Sequence, residues 1–109
     1  IVAPGFNAGY TFVIPNGVTA TYTNDFTVPA NVTVQVDNGG ILLINGNFNL
    51  SSGGVGAAVT YMGTNALLQY INGVPGVYGP DLEFPNLMPG AVSVNRAAGT
   101  DFYLNQSKT

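Results

Sequence analysis

From Tyr10 to Leu104 the chain is a succession of short apolar–polar runs separated by clusters of Gly, Pro, Asn and Asp. Val18-Thr19-Ala20-Thr21-Tyr22-Thr23 and Val32-Thr33-Val34-Gln35-Val36 alternate with period two, placing valines and other apolar side chains on one face and Thr or Gln on the other. That is the periodicity of a half-buried strand. Strands are likewise predicted over Tyr10–Ile14, Phe26–Val28, Asn47–Leu50, Gly56–Met62, Ala66–Ile71, Asp81–Phe84, Ala91–Asn95 and Asp101–Leu104. Ile41-Leu42-Leu43-Ile44 does not alternate and predicts a strand covered on both faces. The window between Gly63 and Gly73 is too short for a stable helix, and Asn72–Pro80 reads as a loop. No helix longer than a few residues is expected.

The turns repeat. Val28-Pro29-Ala30-Asn31-Val32-Thr33-Val34 has an upstream echo in Ile14-Pro15-Asn16-Gly17-Val18-Thr19-Ala20 and a later one in Met88-Pro89-Gly90-Ala91-Val92-Ser93-Val94. Pro15 and Pro29 are 14 positions apart, and Asn45 takes the equivalent place 16 further on. Similar but unequal steps, each holding two short strands and two corners, predict a coiled solenoid of about five rungs whose corners tolerate insertions. Asn45-Gly46 between apolar runs argues the other way, because it is the favoured type I′ hairpin turn and implies antiparallel pairing. The chain therefore reads as all-β, a β-helix segment, with an antiparallel β-sandwich or jelly roll as the alternative. It is one domain over residues 1–109, with 1–9 an extended lead-in open to exchange with a neighbouring subunit.

Composition sharpens this picture. Charged residues make up 6% of the 109 residues and hydrophobic ones 46%, with 15 glycines and 7 prolines. Ordinary domains carry about 25% charged residues, so Asn, Thr and Ser must coat the surface here. Five acids stand against Arg96 and Lys108, for a net charge of −3. Two cations cannot neutralise a run of phosphates, which argues against nucleic acid as a partner and against anionic membrane surfaces. No run is long enough for a transmembrane helix. The scarcity of Lys and Arg, with abundant Thr and Asn, suits an extracellular, cell-surface protein that meets proteases.

Two passages carry a resemblance. Thr27–Gly54, TVPANVTVQVDNGGILLINGNFNLSSGG, is similar to the rungs of right-handed parallel β-helices in large secreted surface and adhesin proteins of the Bacteroidota type. Leu68-Gln69-Tyr70, Gly79, Glu83-Phe84-Pro85-Asn86-Leu87, Val92-Ser93-Val94-Asn95 and Ala98-Gly99 look like a second repeat type of those proteins. The matches span residues 13–104. They imply a right-handed parallel β-helix acting as a structural or adhesive stalk module without an active site. Arg96 at a corner and the adjacent aromatics Phe102 and Tyr103 depart from the pattern, and one of those two aromatics is expected to face outward as a glycan or partner contact.

Little in the sequence carries chemistry. With no His and no Cys, Ser-His and Cys-His nucleophiles and the common zinc sites are closed. Asp81 and Glu83 would share one face of a strand and form a pair for polysaccharide cleavage, against the simpler reading of two solvated acids at an edge beside Pro80 and Pro85. Asp37-Asn38-Gly39-Gly40 has one copy of what a calcium-binding β-roll repeats many times, and reads as a plain turn. No cofactor is expected, calcium being the one ion considered. Asn31, Asn49 and Asn105 head N-glycosylation triplets. The function expected is a non-enzymatic extracellular module, a stalk or adhesin segment or a self-assembling filament subunit. Its partners would be adjacent domains, copies of itself or surface glycans. The alternative is a carbohydrate-binding β module, and third comes a lyase-like β-helix fragment.

Overall fold

The computed structural model describes residues 9–96, 100–104 and 107–109. Among these residues eleven strands follow in order: β1 (Tyr10–Ile14), β2 (Thr19–Tyr22), β3 (Phe26–Val28), β4 (Val32–Asp37), β5 (Ile41–Asn45), β6 (Leu50–Ser52), β7 (Ala58–Met62), β8 (Leu67–Asn72), β9 (Gly76–Tyr78), β10 (Ala91–Arg96) and β11 (Thr100–Phe102). Among the described residues there is no helix. Among the described residues every strand pairing is parallel, and the strands stack as a β-solenoid of about four turns.

Three faces result. The first stacks β1-β4-β7 and the second β2-β5-β8-β10; the third is split into β3-β6 and β9-β11. Tyr10 pairs with Val32, 22 positions on, and Ile41 with Leu67, 26 positions on. A rung therefore holds three strands and three corners, and steps of 14 and 16 residues count corners. Pro15 and Pro29 lie in two different corners of one rung. Both corners close the same way, by Val18 N–H to the Pro15 carbonyl at 3.1 Å and Val32 N–H to the Pro29 carbonyl at 3.2 Å. Like turns demand like residues, which is why the sequence echoes at these two corners.

Parallel stacking puts equivalent side chains over one another. The inward columns are Ile14–Val36–Tyr61 and Val34–Val59 on the first face, and Leu42–Leu68 and Ile44–Tyr70 on the second. All nine of these side chains are buried. At about 25 cal/mol per Å² of apolar area removed from water, such columns are the main stabilising contribution.

Several expectations are corrected. Asn45-Gly46 turns a corner between parallel strands: the Gly46 N–H donates to the Ile71 carbonyl of the next rung at 3.0 Å, and the Asn72 side chain donates to Asn45 Oδ1 at 2.8 Å. An antiparallel hairpin would need its partners on the same rung. Asn47–Asn49 are not strand; β6 begins at Leu50. Ile41 and Leu43 are partly exposed, so β5 is buried on its inner face only. The expected loop at 72–80 contains β9, and the expected strand at Asp81–Phe84 is a turn closed by Phe84 N–H to the Asp81 carbonyl at 3.0 Å.

Candidate functional site

The third face breaks between β6 and β9, and the residues after β9 fold into the break. Leu50 presents its backbone away from β3. Its carbonyl accepts the Leu82 N–H at 2.9 Å, as it would from a strand of the next rung. Its N–H has no carbonyl opposite; it donates instead to Glu83 Oε1 at 2.9 Å. A side-chain carboxylate thus stands in for a missing backbone acceptor, at a site where an unpaired buried N–H costs about 1–3 kcal/mol.

Glu83 is completely enclosed, with 0% of its surface exposed. Its Oε2 accepts from the Tyr70 hydroxyl at 2.8 Å and from the Asp81 N–H at 3.1 Å, while its main-chain carbonyl accepts from the Tyr61 hydroxyl at 2.5 Å. The Tyr78 hydroxyl lies 3.3 Å from Oε2, but its shorter bond goes to the Phe48 carbonyl. A phenol has one proton to give. With that proton committed to Phe48, the approach of the Tyr78 hydroxyl to Oε2 is a secondary contact.

Burial pushes the Glu83 carboxyl above the usual carboxylate range, with hydrogen bonds from Tyr70, Leu50 and Asp81 pulling partly back. Burial, then the proximity of Glu83, raises the hydroxyls of Tyr61, Tyr70 and Tyr78. Arg96, at the end of β10, covers the cluster from the side: its guanidinium carbon sits 4.3 Å from the Tyr78 ring centroid and 5.4 Å from that of Tyr70. It donates to the Gly46 carbonyl at 2.9 Å and to Asn47 Oδ1 at 2.6 Å, tying β10 to the corner after β5. Phe102 completes the aromatic group, 4.9 Å from Tyr70 and 5.7 Å from Tyr78.

Asp81 and Glu83 therefore do not form a pair on one face. Asp81 is exposed and Glu83 is sealed inside; the turn at 81–84 rotates them apart, and the solvated-edge reading is wrong for Glu83. Among the described residues no group of three or more Asp, Glu, His or Cys comes together. Asp37-Asn38-Gly39-Gly40 is a corner whose side chains are engaged in stacking: Asp37 Oδ1 accepts from Gln35 at 2.8 Å and Asn38 Oδ1 from the Asn65 N–H at 2.9 Å.

Of the other residues singled out from sequence, Asn31 is exposed at a corner with φ of 61°. Asn49 is partly buried and its Oδ1 is enclosed. Asn105 lies outside the described residues. Tyr103 is 58% exposed, whereas Phe102 faces inward. Two hollows of about 250 and 290 Å³ flank Pro85 along the edge of β7. Lys108 closes one of them by donating to the Phe84 carbonyl at 2.7 Å and to Asn86 Oδ1 at 3.1 Å. Comparison with protein-family models, curated proteins and solved structures gave no match to this chain.

Proposed function

We propose that this chain is a non-catalytic structural module of the cell surface, a segment of a stalk or adhesin or the repeating subunit of a filament, of the kind that Bacteroidota-type β-helix repeats build. The observation that carries the reading is the first rung. Among the described residues no strand pairs with the outer edges of β2 or β3. Val18 and Phe26 stand there 43% and 40% exposed. Open parallel edges backed by apolar side chains call for another β layer, from adjoining repeats or from another subunit.

The distribution of polar groups supports the same reading. Among the described residues Glu83 is the enclosed acid, and its carboxyl oxygens are engaged with backbone and tyrosine donors. Arg96 is turned onto tyrosine rings and Lys108 onto backbone, which weighs against binding polyanions.

The test is electron microscopy of the purified protein with a glycan-array screen in parallel. The reading predicts rods or end-to-end stacks with no glycan retained. Compact monomers that bind a defined glycan, with loss of binding in Tyr103→Ala, would replace it with a carbohydrate-binding module.

A further inference from the structure

We infer that the outer face of the β2-β5-β8-β10 sheet is a lateral self-association surface, on which a second copy of this chain packs sheet to sheet. This rests on the reading of the chain as an assembling structural module and adds the surface on which modules meet side by side.

The register fixes which residues point outward. Leu42, Ile44, Leu68 and Tyr70 fill the interior. Their neighbours therefore form three outward columns: Thr19–Ile41–Leu67–Ala91, Thr21–Leu43–Gln69–Ser93 and Asn45–Ile71–Asn95. Ile41, Leu43, Leu67 and Ile71 lie on the two central strands, all partly exposed. Thr19, Thr21, Ala91, Ser93 and Asn95 occupy the edge strands, and Asn45 and Gln69 are the polar members of the central ones. An apolar centre inside a polar, uncharged rim is the make-up of a protein–protein interface core.

Charge selects the occupant. None of the outward positions is ionisable, although the chain carries −3 overall. Asp25 and Asp37 sit outside this sheet, Asp81 and Glu83 lie in the turn after β9, Asp101 is in β11, and Arg96 is turned inward. Two copies can therefore meet here without opposing like charges, as they cannot through a face bearing Asp37. The face is also regular, four parallel strands in unbroken register, and such sheets stack at about 10 Å with their mean directions within roughly 30°.

Size sets the strength. Strand spacing of about 4.8 Å and a rise of about 3.3 Å per residue give a contact on the order of 300 Å² per copy. A stable heterodimer or homodimer of standard size needs about 800 Å² per partner. A single module pairs weakly, and modules repeated along a stalk or filament pair firmly because each contact raises the effective concentration of the next.

Sedimentation equilibrium of the full chain up to about 1 mM tests this, with Leu43→Lys/Ile71→Lys as the variant. Both changes are on the solvent side, and circular dichroism confirms the fold. The expected result is concentration-dependent dimerisation in the parent, weakened at least about ten-fold in the variant by paired like charges. The chain has no cysteine, so Leu67→Cys is a clean second probe. It should form disulfide dimers much faster than Thr33→Cys on the first face. Equal rates, equal association of parent and Lys variant, or retention of a glycan on this face that the Lys changes abolish, would overturn the inference. Rods that still form end to end in the Lys variant leave the structural reading standing, so the two failures are distinguishable.

Discussion

Glu83 holds the backbone N–H of Leu50 at 2.9 Å across 33 residues of sequence, at the point where the third face of the solenoid loses its ladder. The bond places a side chain in the role of a strand. Through Tyr61, Tyr70 and the Asp81 amide it also joins β7, β8 and the turn after β9 to the edge of β6.

Replacing Glu83 with Ala strands the Leu50 N–H and the Tyr70 hydroxyl in a dry interior, releases the part-buried Asp81 N–H and leaves a cavity. The expected loss is about 3 kcal/mol or more of unfolding free energy. Glu83→Gln keeps the volume and an acceptor oxygen and should lose about 1 kcal/mol. Urea unfolding measures both; equal losses would show that volume, not hydrogen bonding, is what Glu83 contributes.

The pH dependence has a definite sign. A carboxyl whose pKa is raised by folding binds its proton more tightly in the native state, so its stabilisation is fully present below the unfolded value of 4.5 and is lost as pH rises through the folded value. Stability should therefore decline with rising pH in that window, and Glu83→Gln should flatten the decline. The raised hydroxyls of Tyr61, Tyr70 and Tyr78 act the same way at the alkaline end, with stability falling as pH climbs above 10. Absorbance at the tyrosinate band, followed with circular dichroism, should show these three ionising together with unfolding.

At Gly40 an added Cβ would lie 2.4 Å from the Ile14 carbonyl oxygen and 3.1 Å from that of Pro15, both backbone atoms of the rung above. Gly40→Ala should cost about 1–3 kcal/mol or more, because one rung would have to move off the next. Gly17→Ala meets no atom but keeps a φ of +80°, so its cost should be the smaller strain of a left-handed residue.

Arg96→Lys should behave as a disruptive change despite keeping the charge. The guanidinium bonds the Gly46 carbonyl and Asn47 Oδ1 while lying over Tyr78, and an ammonium cannot reproduce that planar fork. A drop of about 1–2 kcal/mol in urea unfolding is expected.

The fold was largely legible because alternation and corner residues are local properties. Val32–Val36 announces its buried face, Ala20 and Tyr22 mark the half-buried face of β2, and the Pro15 and Pro29 corners announce that the chain coils. Rung length was not legible: two corners of one rung look as alike as the same corner of two rungs, and only the pairing of Tyr10 with Val32 tells them apart. Asn45-Gly46 misled for a related reason, since positive φ suits a solenoid corner as well as a hairpin. Glu83 was missed because nothing within a few residues signals burial. Its partners Leu50, Tyr61, Tyr70 and Tyr78 lie elsewhere in the chain, and a glutamate beside Pro85 has the local look of a surface residue. The near-absence of other charges, with three tyrosines shortly upstream, was the one available hint.

Amide hydrogen exchange at Leu50 tests the role of Glu83 most directly. In the parent protein the Leu50 amide should be among the slowest to exchange, and Glu83→Ala should lower its protection, with that of Asp81 and Leu82, far more than that of Leu42 or Val34 in the unbroken sheets. A Leu50 amide that exchanges at the rate of an open turn in the parent, or one whose protection survives the loss of Glu83, would contradict a carboxylate serving in place of a strand.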